Sequence, residues 1–295
     1  MLVLSAREQR TVMGVTCRVE VDAVNAPQCV DDAFSQLREL EALWSRFIPT
    51  SDISRLNHAN GAPTHVDHRT ASLVATMKLA MAHTHGAFNP TRLPEQIALG
   101  DSRSLISDNA TMVPAHATPF LAMDDVRVEA DGTVQLPLGM TLDAGGIGKG
   151  FAADLVATAL LSCGAQSVCV NVGGDIRVSS QANQPRSWGI DVISPIDGSV
   201  LSVISLRDGA IATSARSARL RHSAGIDNHV QGAHSTIAGA SVIASHGAWA
   251  EAWSKFLMAT PNGLPELESF GLAGMIVFND GHIQTCNNWK DFVQC

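Results

Sequence analysis

Hydrophobic and polar residues alternate through TCRVEVDAV, residues 16–24, the period-two pattern of a strand with one buried face. Directly after it, APQCVDDAFSQLRELEALWSRF sets Ala33, Phe34, Leu37, Leu40, Leu43 and Trp44 at helical spacing, so an amphipathic helix is predicted there. IPTSDISRLNHANG is turn-rich, and ASLVATMKLAMAHTHG predicts a second helix stopped by Gly86. GAFNPTRLPEQIALGDSRS, with two prolines, reads as a loop. From Thr111 to Leu142, the runs FLAMDDVRVEA, GTVQLPLG and MTLD alternate with turn signals and predict strands of a sheet. GFAADLVATALLSCG then places Ala152, Leu155, Val156, Ala159 and Cys163 along one helix face, closed by Gly164. SVCVNVGGDIRV alternates Val168, Val170 and Val172 before Gly173 and Gly174. No repeat, linker or low-complexity block divides the chain, so residues 1–295 are expected to fold as one unit, with two intertwined lobes as a variant of it.

Composition narrows the function classes. With 45% hydrophobic and 16% charged residues, the 295-residue chain can bury a sizeable core. Its formal net charge is −8, from 20 basic and 28 acidic residues, which argues against a nucleic-acid or anionic-membrane surface. Any phosphate must therefore be held by local donors. Cys17, Cys29, Cys163, Cys169, Cys286 and Cys295 form no CxxC pair and no zinc-type cluster. The first residues lack the apolar core of a secretory signal, and no run reaches membrane-spanning length, so the expectation is a cytoplasmic, reduced protein.

The segment LDAGGIGKGFAADL, residues 142–155, is the first candidate for chemistry. Its four glycines and Lys149 lie between MTLD and the helix after them. The first N–H groups of a helix lack backbone acceptors and the dipole there is positive, so an anion is favoured; glycine lets a phosphate approach the backbone. Lys149 adds a mobile positive charge. The spacing is neither a P-loop, because Gly150 follows GK, nor GxGxxG. Phosphate binding and a purely structural strand-to-helix turn both remain open on these residues. A second glycine turn, Gly173-Gly174, carries Asp175, which would stand near the first if the strands are neighbours; a bulge is the alternative.

The order of MGVTCRVEV, WSRFIPTSDISRLN, HGAFNPT, LDAGGIGKGFAAD, VNVGGDIR, ATS and GAWAEAWSKFLMA resembles the ApbE family of FAD:protein FMN transferases over nearly the whole chain. The resemblance implies an α+β fold, with mixed or antiparallel sheets and packed helices, in the T-fold-like architecture of that family. It implies transfer of FMN from FAD to a Ser or Thr hydroxyl of an acceptor flavoprotein, with release of AMP and with magnesium as the usual metal. Carried over by position, Met13, Phe47, Ala87, Phe88, Asn89, Asp143 and Lys149 would contact FAD. Phe47 stands where tyrosine is common, and Asn89 replaces the aspartate of GAFDPT.

The departures concern the metal and the base. By resemblance, the carbonyl of Gly146 and the carboxylate of Glu251 would ligate magnesium. The family's second helical ligand, a threonine four residues on, is Lys255 here, and a protonated lysine ligates no metal. Either the Lys255 ammonium stands where the metal would and serves the catalytic site, or Glu251 and Lys255 are an ordinary i,i+4 ion pair. For the family's HHIIDPRTG, this chain has RLRHSAGIDNHVQGAHSTI. Counting back from ASVIAS aligns His229 with the histidine, the expected general base, and Gly232 with the aspartate; aligning Ile226-Asp227 instead puts His222 there. Two function classes follow: an active transferase acting on a cytosolic flavin-dependent reductase or redox carrier, and an altered flavin binder or FAD pyrophosphatase.

Overall fold

The computed structural model describes residues 2–104, 109–216 and 234–294. The chain opens with β1 (Leu4–Val12) and β2 (Val15–Ala23), an antiparallel hairpin in which Val12 pairs with Val15. The two turn residues, Met13 (φ 56°) and Gly14 (φ 71°), are both left-handed, the geometry that suits the twist of a two-residue hairpin. β2 buries Cys17, Val19, Val21 and Ala23 against α1 (Ala26–Trp44), whose buried stripe runs from Ala26 through Phe34 and Leu37 to Trp44. The predicted helix therefore ends three residues early, and Arg46 and Phe47 lie in the turn after it.

The middle of the chain departs most from expectation. The turn-rich stretch holds α2 (Asp52–His58), started by Ser51, whose hydroxyl accepts from the Ser54 N–H. β3 (Thr64–His65) precedes α3 (His68–His83), and the stretch read as a loop contains α4 (Leu93–Ala98), with a proline in its first turn. Of the strands predicted between Thr111 and Leu142, only β4 (Arg127–Val128) and β5 (Thr133–Gln135) form, in a small β3-β5-β4 sheet. MTLD joins no sheet. The Asn57 side chain takes over the role of a neighbouring strand: its Nδ2 donates to the Leu142 carbonyl at 2.9 Å and its Oδ1 accepts from the Leu142 N–H at 2.7 Å.

After α5 (Gly148–Ser162) come β6 (Ser167–Val172) and β7 (Asp175–Ser180), then β8 (Trp188–Ile193), β9 (Val200–Leu206), β10 (Gly209–Ala215) and β11 (Ile237–Ala244). α6 (Gly247–Ala259), α7 (Leu264–Ser269), β12 (Ala273–Phe278) and β13 (Ile283–Thr285) follow. One antiparallel sheet of eight strands runs β1-β2-β6-β7-β10-β11-β12-β13. Helices α1, α5 and α6 cover one face of it. The β8-β9 hairpin packs Trp188, Ile190 and Ile204 on the other, against Val178, Ile211 and Met275. Because α5 packs on α6 as well as on the sheet, its buried side is Ala152, Ala153, Val156, Ala157 and Leu160, and Cys163 is exposed. The architecture is α+β with antiparallel sheets. Among the described residues, no helix is long and apolar enough to cross a membrane.

Candidate active site at the crossing of two helix N-termini

α5 and α6 start side by side, and each start is capped by the other helix. Asp154 of α5 accepts from the N–H groups of Gly247 (2.7 Å) and Ala248 (3.0 Å) at the beginning of α6. In return, Glu251 Oε2 of α6 accepts from the Gly150 N–H at 2.9 Å. A carboxylate is the expected partner for unpaired helix-start N–H groups. The caps require close backbones: a Cβ on Gly150 would fall 2.3 Å from the Gly247 carbonyl oxygen. Of the two readings of the glycine loop, Gly150 thus has a structural purpose, the approach of α6.

Lys149 is held, not mobile. Its Nζ lies 2.7 Å from Asp175 Oδ2 and donates to Glu251 Oε1. Asp175 follows Gly173 (φ 65°) and Gly174 (φ 102°), which make a two-residue hairpin turn with Val172 paired to Asp175. That tight turn, with no bulge, delivers the acid to the start of α5. Burial works against charge on Lys149, but Asp175 and Glu251 outweigh it and raise its pKa. Burial and the charge of Glu251 push Asp175 up to about 6, against the pull of Lys149 and Lys255. Burial also opposes ionisation of Glu251, yet the two ammonium groups keep its pKa below the ordinary value.

Lys255 completes the cluster from the next turn of α6. Its Nζ donates to the Glu251 carbonyl at 3.2 Å and stands 3.7 Å from Glu251 Oε1. Its Cε passes Gly146, 3.2 Å from where a Cβ would sit, and the Phe88 ring lies 3.0 Å from that same point. Gly146, Phe88, Lys149, Glu251 and Lys255 are therefore brought together, and Asp175, on the second glycine turn, joins them although MTLD forms no neighbouring strand.

The remaining expected flavin contacts have partners of their own. Asp143 lies 3.7 Å from Arg46 Nε and accepts from the Gly145 N–H at 3.0 Å. Arg46 also pairs with Asp101 and sits over the Phe47 ring, 4.4 Å from its centroid. Asn89 organises its own loop: its Oδ1 accepts from Thr91 and its Nδ2 donates to the Phe120 carbonyl. Ala87 packs with Trp253 and Phe256 and lines a cavity of about 360 Å³ with His85, Thr260 and Glu266. Met13 is in the β1–β2 turn, at the sheet end where Gly173 abuts Val15. His229, its alternative His222 and Gly232 lie outside the described residues.

Magnesium does not fit the donors at Glu251. One carboxylate oxygen is engaged by Lys149 and the other by the Gly150 N–H, and the Lys255 ammonium stands beside them. A hard divalent ion needs several oxygen ligands at about 2.0–2.1 Å, and ammonium groups compete for the same oxygens. Among the described residues, no group of three or more His, Cys, Asp and Glu side chains is arranged to hold a metal.

A model of the ApbE family matches residues 13–271. The FAD:protein FMN transferase of Treponema pallidum (strain Nichols) is 28% identical over a 316-residue alignment, covering 96% of this chain and 87% of that protein. The FAD:protein FMN transferase of Chlamydia trachomatis serovar D is 25% identical, covering 71% and 68%. The crystal structure of the ApbE protein of Thermotoga maritima superposes with a TM-score of 0.81 at 22% identity, over 99% of this chain and 100% of that one. Flavinyl transferase ApbE of Pseudomonas stutzeri, in its apo form, gives 0.78 at 20% identity, over 98% and 97%. These two structures share the fold.

Proposed function

The chain belongs to the ApbE family, and from that premise we propose that it is an FAD:protein FMN transferase acting on an acceptor flavoprotein. In the reaction, a Ser or Thr hydroxyl oxygen of the acceptor attacks the flavin-side phosphorus of FAD. The P–O bond to the adenylate breaks, a phosphoester to FMN forms, and AMP leaves; the hydroxyl proton passes to a base. Such a step needs positive charge against the phosphates and a positioned proton acceptor more than it needs covalent chemistry from the protein.

The observation that carries this reading is the pair of lysines at the glycine loop. Lys149 and Lys255 place two ammonium groups beside the start of α5 and the Gly146 backbone, fixed by Asp175 and Glu251. In the proposed site they face the FAD diphosphate. Phe88 and Ala87, with Asn89 shaping their loop, form one flank of the flavin site, and Asp143, Phe47 and Met13 supply the rest. His229 takes the hydroxyl proton, with His222 as the alternative from the second alignment.

Incubating the protein with FAD and an acceptor bearing a Ser/Thr flavinylation sequence, with intact-mass readout, tests the reading. Acceptor heavier by one FMN phosphoester, with AMP released in equal amount, is the expected result. AMP with unlabelled acceptor would make the protein a pyrophosphatase, and FAD bound without AMP would make it a flavin binder.

A further inference from the structure

The strongest disagreement between this chain and its family's expected chemistry lies at Lys255. The side chain is buried, with its ammonium 3.7 Å from Glu251 Oε1 and its stem against Gly146. Gly146 and Glu251 are the two positions where the resemblance would put metal ligands, and Lys255 approaches both.

Lys149 and Lys255 balance Asp175 and Glu251, so the four buried or half-buried ionic groups sum to zero without any ion. A divalent cation at the Glu251 carboxylate would have to displace the Lys149 ammonium from one oxygen or the Gly150 N–H from the other, with the Lys255 ammonium 3.7 Å from Oε1 repelling it. Release of Glu251 to a metal would also strip the buried Gly150 N–H of its acceptor and leave Lys149 with Asp175 alone. A lysine ammonium, in contrast, binds phosphate as a point charge and needs no ligand sphere.

We infer that Lys255 is the built-in counter-cation of this site, and that the protein holds the diphosphate of FAD between Lys149 and Lys255 without a divalent metal. This rests on the transferase reading above. It makes Lys255 a binding residue for the diphosphate and a determinant of metal independence.

The test is FAD titration by calorimetry on metal-stripped full-length protein, in EDTA and in millimolar magnesium. The expected affinities agree within about threefold; a larger tightening by magnesium overturns the inference. Lys255→Gln, checked for folding by circular dichroism, is expected to weaken FAD binding in EDTA by more than about tenfold. Wild-type affinity in folded Lys255→Gln overturns the inference as well. The wild-type comparison stands even if the variant does not fold. No FAD binding by the wild type in either buffer would defeat the transferase reading itself, and this inference with it.

Discussion

Gly150 and Gly247 touch backbone to backbone, so closely that a methyl on either would penetrate the other: 2.3 Å from the Gly247 oxygen in one direction, 2.6 Å from the Gly150 oxygen in the other. Backbone atoms on both sides leave no flexible side chain to give way. Gly150→Ala is therefore expected to destabilise the fold by about 3 kcal/mol through overpacking, despite alanine's better helix propensity. Gly148→Ala, whose Cβ would meet the Ala144 methyl at 3.3 Å and the Trp44 ring at 4.0 Å, both side chains, should cost far less. Urea unfolding of the two variants checks the contrast; equal losses would mean that the crossing tolerates separation.

The caps across that crossing make a second prediction. Asp154 serves two N–H groups at the start of α6 and lies 3.5 Å from Arg177 Nε. Asp154→Ala leaves both donors buried without this acceptor and should cost about 2 kcal/mol. Asp154→Asn retains one oxygen and should lose about half of that. Thermal melts of both variants at neutral pH would expose a cap of no consequence as two unchanged midpoints.

Long periodic elements are legible in the sequence because each repeats its signal: α1 shows it over five turns and β2 over four buried positions. α2 and α4 escape because a helix of six or seven residues completes fewer than two turns, too few to display a period. At the site, the glycine loop and Asp175 stand out locally, and the i,i+4 spacing of Glu251 and Lys255 is visible on one helix. That Glu251 reaches back to Lys149, 102 residues earlier, is a fact of the α5–α6 crossing and leaves no local trace. The family resemblance supplies the expected flavin positions and is silent on why lysine stands at 255, where it would place a metal ligand.

MTLD illustrates the same limit and yields a third prediction. Its alternation predicts a strand, but it joins no sheet, and the pattern does not reveal what satisfies its backbone instead. The answer is Asn57, 85 positions away, buried and bonded to both polar groups of Leu142. Asn57→Ala should cost about 2–4 kcal/mol, because a buried N–H and a buried C=O both lose their partner. Asn57→Asp keeps one acceptor but adds a buried charge, and should be no better at pH 7. An alanine variant as stable as the wild type in urea would show that water replaces the amide.

Lys149 offers the last test, in which stability and pH are read together. Removing its ammonium leaves Asp175 and Glu251, 5% and 1% exposed, without the cation that lies against both. Lys149→Met should therefore cost about 3 kcal/mol at pH 8, the usual penalty for breaking a buried pair from one side. The loss must shrink in acid, and the direction follows from the carboxyl groups. Asp175 is already raised to about 6 by burial and by Glu251, even with Lys149 pulling it down; without Lys149 its folded value moves higher still. An acid whose folded pKa exceeds its unfolded one binds an extra proton on folding between those two values, so its contribution to stability falls as pH rises through that window. Unfolding free energies at pH 5 and pH 8 should thus differ more in Lys149→Met than in the wild type, with the variant recovering part of its loss at pH 5. A deficit equal at both pH values would mean that the two carboxylates do not depend on Lys149 for their charge. FAD binding measured at pH 5, where the fold is expected to recover, then separates the lysine's contribution to the proposed diphosphate site from its contribution to stability.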